Sequence, residues 1–242
     1  MRVTRLFVNE PLTVGQALQL SEEATHHLVN VLRLNQGAKI TLFNGMGGEY
    51  ESYLINYQKK RGWVQIQNYH PIERESPLQL TLVQAVSRPE HMDYTIQKAV
   101  ELGVKRIVPI LTERSVPIAK NKIGKREERW RKIIEQACAQ CGRNQLPILH
   151  KVSPLSEWLA TMIQGQRLIL TPIGTQQWYD SLEQTCPITI LVGAEGGLTE
   201  QEIQQAEQAG YLSVQLGPRI LRTETAAIAM LVLCQAFGGD WR

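Results

Sequence analysis

The chain of 242 residues is short of cysteine, of long apolar runs and of net charge, and each shortage excludes something. Its four cysteines (Cys138, Cys141, Cys186 and Cys234) are few and unevenly spaced. That excludes a disulfide-stapled fold and fits a reduced, cytosolic protein. Cys138-x-x-Cys141 has no second pair and no nearby histidine to complete a zinc site. It falls in a helical pattern with Trp130, Ile133, Ile134 and Ala137, so core packing is expected. His26 and His27 are adjacent and would point to opposite faces of a helix, which argues against joint ligation. No metal is expected. The longest apolar candidate, residues 226–237, is too short to span a membrane and reads as a buried helix. Met1-Arg2-Val3-Thr4-Arg5 leads into no apolar segment, so no signal peptide is expected.

Charge is equally modest. Against 23 acidic residues stand 26 Lys and Arg, a formal +3 that does not by itself argue for nucleic acid. Distribution says more: residues 113–132 hold eight Lys/Arg and three Glu, a basic run that reads as a solvated face. Composition is otherwise that of a globular protein, with 43% hydrophobic and 20% charged residues, and the length allows one large domain or two smaller ones.

What is present divides into two patterns. Residues 1–73 read as a small β-rich domain. Strands are expected around residues 6–8, 39–43, 49–57 and 63–69, separated by glycine turns at 45–48 and 59–62, a spacing that suggests a barrel. Ser21-Glu22-Glu23 opens a short helix with Leu28, Val31 and Leu32 at helical spacing. Prolines and the charged run Glu73-Arg74-Glu75 place a linker at residues 70–77. From Leu78 strands and helices alternate, the mark of a parallel sheet, so residues 74–242 form an α/β domain. Strands are expected at 78–86, 107–111, 167–170, 188–192 and 212–216, with helices opening at Pro89 and Leu155 and a long one over 126–141.

Two loops stand out near the C-terminal end. Gly193-Ala194-Glu195-Gly196-Gly197-Leu198-Thr199 follows one apolar run, and Gly217-Pro218-Arg219-Ile220-Leu221-Arg222-Thr223-Glu224-Thr225-Ala226 follows the next. Thr199 with Glu202 fits a capping box, Thr223 can cap the second helix, and Glu224 puts an acid in its positive first turn. The glycines let backbone approach a ligand closely at strand-to-helix turns, where open α/β sheets bind ligands. The order Gly193-x-x-Gly196-Gly197 is not the dinucleotide fingerprint, and no Gly-Lys-Ser/Thr follows. An ordinary Rossmann enzyme is therefore disfavoured.

The wording Gly-Ala-Glu-Gly-Gly-Leu-Thr with Leu-Gly-Pro-Arg-Ile-Leu-Arg-Thr-Glu-Thr-Ala resembles the cofactor loops of one SPOUT methyltransferase family, ribosomal RNA small-subunit methyltransferase E. Further similarity runs through Ser87-Arg88, Met92-Asp93, Ile96-Gln97-Lys98, Glu101-Leu102-Gly103-Val104, Glu113-Arg114-Ser115 and Gln140-Cys141-Gly142-Arg143-Asn144. The resemblance implies a PUA-like N-terminal barrel that binds RNA, then a SPOUT-type parallel sheet whose C-terminal segment forms a trefoil knot, an exception to the rule that chains are unknotted. It implies S-adenosylmethionine as cofactor, N3 of a uridine in 16S rRNA as acceptor, and a homodimer. A non-catalytic RNA-binding protein that kept the fold is the alternative, and the intact loops count against it.

On that reading Leu170, Thr171, Pro172, Leu216, Gly217, Ile220 and Leu221 would hold the adenine, while Gly193, Glu195, Gly196 and Gly197 border the ribose and methionine. Thr225 and Ala226 complete the cofactor set. Uracil N3 must lose its proton before it attacks, so a base or a cation that stabilises the anion is required. Arg222 is the candidate cation, and Glu224 or Glu195 the candidate base. The other roles open to them are a phosphate clamp for Arg222 and helix-start electrostatics for the acids. Arg5, Arg33, Arg88, Lys98, Arg114 and Arg143 are the candidate RNA contacts, since arginine suits phosphate.

Overall fold

The computed structural model describes residues 4–174, 176–182 and 187–241. Cys186 and residues 1–3, both used in the sequence reading, lie outside the described residues. Two compact units emerge: Met1–Glu75 with Cys138–Leu146, and Ser76–Ala137 with Pro147–Arg242.

The first unit is built on strands β1 (Thr4–Phe7), β2 (Ala17–Gln19), β3 (Lys39–Phe43), β4 (Glu49–Gln58) and β5 (Arg61–His70). They form a five-stranded sheet in the order β1-β3-β4-β5-β2, antiparallel except for the β1–β3 pair. Alternation of inward apolar residues drives it. Ile40, Leu42, Leu54, Val64 and Ile66 point to one core, joined by Leu18 from β2, a short strand the sequence pattern did not reveal. Helix α1 (Glu22–His26) is capped by the Ser21 side chain, which accepts from the Ala24 N–H, and continues as a π-type turn over His27–Val31. That turn delivers Leu28 to the core.

Segment Cys138–Leu146 joins this unit although the sequence reading placed it in the α/β region. The reason is electrostatic. Arg143 meets Glu75 in a two-pronged ion pair at 2.6 and 2.9 Å, with both side chains buried. Arg5 binds Glu49 at 2.5 Å and Asn144 at 2.6 Å, and Arg74 bridges Glu49 and the Gly142 carbonyl. Burial alone would raise the Glu49 carboxyl, but hydrogen bonds from Arg5 and Arg74 hold it below the ordinary value.

The second unit carries an eight-stranded sheet. Its strands are β6 (Leu80–Ala85), β7 (Arg106–Leu111), β8 (Ile148–Leu149), β9 (Ser153–Pro154), β10 (Gln166–Leu170), β11 (Gln176–Gln177), β12 (Ile188–Val192) and β13 (Leu212–Gln215). The order is β11-β13-β10-β12-β6-β7-β8, with β9 on β7, and every pairing is parallel. β6 and β12 are buried at every position, as central parallel strands covered on both faces must be. Helices α2 (Pro89–Glu101), α3 (Ile123–Cys141), α4 (Leu155–Leu159), α5 (Trp178–Ser181), α6 (Glu200–Gln208) and α7 (Thr223–Gly238) complete the chain. The capping box at Thr199 and Glu202 is present at the head of α6. α7 rests on α2, β6 and β12, burying Ala227, Met230, Leu231 and Cys234 and leaving Ile228, Val232 and Leu233 half-buried.

Two of the described cysteines are core residues. Cys138 and Cys234 are buried, and burial pushes both thiols up to about 12. Among the described residues no helix is long and apolar enough to cross a membrane, and no group of three potential metal ligands occurs.

Candidate active site

β10, β12 and β13 are neighbours, and their carboxyl ends lie together: Leu170 pairs with Val192 on one side and Val214 on the other. The loops that follow enclose a cavity of about 210 Å³. Leu170, Thr171 and Pro172 form one wall. Gly193, Glu195, Gly196 and Gly197 form a second, and Leu216, Gly217, Ile220, Leu221 and Ala226 a third. Val192, Ala194, Val214, Gln215, Arg219 and Thr223 also line it, none of them singled out for the site from sequence. Arg219 was the detectable one, a cation between Pro218 and Ile220 in the same loop. Thr225, Arg222 and Glu224 are not among the lining residues.

Backbone geometry explains two of the glycines. Gly197 and Gly217 have φ of +70° and +84°, which L side chains rarely adopt, and a Cβ on either would meet nothing within 4 Å. They keep an open lining that a ligand can approach. Gly196 serves another purpose. A Cβ there would come within 3.2 Å of the Arg114 side chain, whose Nη1 donates to the Gly196 carbonyl at 2.8 Å.

Several side chains sit elsewhere than the sequence reading expected. Thr223 is the first residue of α7 rather than its cap; the cap position is Arg222, and the Thr223 hydroxyl donates to the Gly193 carbonyl at 2.5 Å. Glu195 accepts from the Arg88 N–H at 2.8 Å, tying the first loop to the head of α2. Glu224 pairs with His91 at 3.1 Å through Oε1, while its buried Oε2 has no hydrogen-bond partner among the described residues. That pairing joins α2 to α7, and nothing in local spacing announces it. Arg222 is exposed; its carbonyl accepts from the Ala226 N–H at 2.8 Å, while its guanidinium makes no hydrogen bond or ion pair among the described residues.

The RNA candidates separate sharply. Arg143 is 4% exposed and committed to Glu75, so it is withdrawn as a phosphate contact. Arg5, with 12% of its side chain exposed and held by Glu49 and Asn144, is withdrawn with it. Each cation found an acid partner distant in sequence, buried for Arg143 and partly buried for Arg5. Lys98 is paired with Glu101 one turn along α2 and sits over the Tyr94 ring. Arg114 braces the first loop. Arg33 and Arg88 remain exposed, Arg33 on a left-handed backbone at φ +54°.

A chain that holds a parallel sheet with a glycine-walled cavity at its carboxyl edge and a separate small β-rich unit has the parts of an RNA methyltransferase. Residues 74–235 match the RNA methyltransferase domain family and residues 20–67 the RNA methyltransferase PUA domain family. The chain belongs to the ribosomal RNA small subunit methyltransferase E family. Proteins of that name from two Buchnera aphidicola strains are 31% and 32% identical, covering 99% and 100% of this chain and 98% and 96% of their own. A methyltransferase from Legionella pneumophila with bound cofactor SAM is 41% identical with a TM-score of 0.95, covering 99% of this chain and 100% of its own. The small subunit methyltransferase E from Neisseria gonorrhoeae, bound to S-adenosyl methionine, is 38% identical with a TM-score of 0.92 and covers 100% of both chains.

Proposed function

We propose that this protein transfers a methyl group from S-adenosylmethionine to N3 of a uridine in 16S rRNA, in the cytoplasm and as a homodimer. The observation that carries the reading is the cavity at the ends of β10, β12 and β13, whose left-handed glycines leave room beside backbone. The cofactor supplies a methyl group on a positively charged sulfur. Leu170, Pro172, Leu216, Ile220 and Leu221 give apolar walls suited to the flat adenine, and the Gly193–Gly197 loop gives close backbone for the polar part. Holding two reactants in line accounts for several kcal/mol of barrier. Thr225, exposed and outside the cavity lining, would act on this site only through its neighbour in sequence, Ala226.

Glu195 lines the cavity and is the better placed of the two acids to accept the N3 proton. Glu224 acts through His91 and α2, and its unpartnered oxygen keeps it in the reading as the second candidate. Arg222, whose guanidinium has no partner among the described residues, would face the charge that develops on the uracil. Arg33, Arg88 and Arg114 supply phosphate contacts, and Lys98 does so where RNA outcompetes Glu101. A division at residues 1–73 and 74–242, RNA-binding and catalytic, belongs to the same reading, as does a knot in the C-terminal part.

The test is mass-spectrometric mapping of methylated uridines in 16S rRNA, in cells with and without this protein and after incubation of purified protein with small subunits and S-adenosylmethionine. One 3-methyluridine should depend on the protein. An unchanged map in both settings removes the reading.

A further inference from the structure

Inside the second unit a polar side chain occupies a position that ordinarily goes to an aliphatic one. Gln84 lies on β6, between Val192 of β12 and Pro109 of β7, and is 1% exposed. Its neighbours Val83 and Ala85 follow the rule for a central parallel strand; Gln84 does not. Burying an amide is costly unless its groups are satisfied, and here Oε1 meets no hydrogen-bond partner among the described residues. A residue kept against that penalty has to be worth something through its other end.

That end reaches both walls of the cavity. Gln84 Nε2 donates to the Thr223 hydroxyl at 3.0 Å and to the Gly193 carbonyl at 3.3 Å, with a third contact to the Ala85 carbonyl at 3.1 Å. The Thr223 hydroxyl in turn donates to the Gly193 carbonyl at 2.5 Å. A carbonyl can only accept, so the Thr223 proton is committed to Gly193 and Thr223 must accept from Gln84. The direction of the chain is therefore fixed. It runs from the sheet to the first turn of α7 and on to the root of the first glycine loop. Gly193 and Thr223 both line the cavity; Gln84 lies behind them.

We propose that Gln84 is a positioning residue for methyl transfer, locking the Gly193 loop to the head of α7 so that two cavity walls keep one spacing. The proposal rests on the reading of this cavity as the S-adenosylmethionine site. A ligand held between two loops is bound well only when both are preorganised, and a buried network is the means of doing that.

The measurements are the S-adenosylmethionine Kd by calorimetry, kcat at saturating cofactor, and circular dichroism on the intact protein. Gln84→Met removes the donors, and Thr223→Val removes the hydroxyl at nearly constant shape. Each should weaken cofactor binding about tenfold, the range set by leaving a buried polar group unpaired. The double variant should be no weaker than the weaker single one, because both changes break the same chain. Thr223→Ser, which keeps the hydroxyl, should bind as the wild type does. Wild-type Kd and kcat in Gln84→Met, or losses that multiply in the double variant, would overturn the proposal. Should Gln84→Met lose its native circular dichroism, the Thr223 pair decides. Weakening in Thr223→Val with retention in Thr223→Ser supports the lock, and any other pattern overturns it. A wild-type protein that binds no S-adenosylmethionine removes the cavity reading itself and this proposal with it.

Discussion

Single residues in this protein are most informative where charge is buried. The side chains of Arg143 and Glu75 are 5% and 7% exposed and meet at 2.6 Å. Such a pair adds little net stability over a well-packed apolar pair, yet breaking one half of it leaves the other charge stranded. Glu75→Gln should therefore lower the unfolding free energy by about 3 kcal/mol, read as a reduced urea midpoint of the intact chain. An unchanged midpoint would mean that solvent reaches Arg143. Arg222 is the opposite case, an exposed cation whose guanidinium has no partner among the described residues. If its charge is wanted only in the transition state, Arg222→Ala should cut kcat by about a hundredfold and leave S-adenosylmethionine affinity nearly unchanged. A parallel fall in cofactor binding would instead make Arg222 a cofactor ligand.

At the scale of elements, the glycine loops carry the argument. Gly217 has φ +84° with open space where a Cβ would stand, so Gly217→Val meets two obstacles. The left-handed backbone costs roughly 1–2 kcal/mol for a side chain, and the branched carbons fill cavity space. The expected result is a loss of S-adenosylmethionine affinity of about a hundredfold or more with far-UV circular dichroism retained. Full affinity in that variant would show that the loop is structural only. These loops were legible in the sequence because their signals are local: an apolar run, glycines, a capping box at Thr199 and Glu202, then a helical period. β3 and the start of α2 at Pro89 were legible for the same reason. The two-residue strands β9 and β11 were not, since two residues have no period. Nor were the pairings of Arg143 with Glu75, Glu224 with His91, or Gln84 with Thr223. Each joins residues far apart in the chain, and only the folded sheet brings them together. Thr223 shows the limit well. Its position fits a cap by sequence, but a nearby carbonyl on the first loop takes its hydroxyl instead.

At the scale of the whole molecule the open matter is what covers α7. Its composition is apolar nearly all round, and such a helix has to be buried on more than one side. Contacts with α2, β6 and β12 cover Ala227, Met230, Leu231 and Cys234. Ile228, Val232 and Leu233 stay half-buried, and Ile220, in the loop just before the helix, is 84% exposed. Water around large aliphatic side chains is unfavourable by about 25 cal/mol for each Å² that could be covered. A second copy related by a two-fold axis would cover the same patch on both subunits at once, because such an interface is self-complementary. If the same contact takes in the exposed Ile220 loop, which forms a wall of the cavity, association and cofactor binding should be linked. Sedimentation at micromolar concentration should then give a single species at twice the 27.4 kDa of one chain. Ile220→Asp together with Val232→Asp should shift it toward the single chain and weaken S-adenosylmethionine binding in the same preparations. A wild-type protein that sediments as one chain while turning over substrate at that concentration would end the dimer reading, and α7 would have to be explained by the coverage it has within one chain.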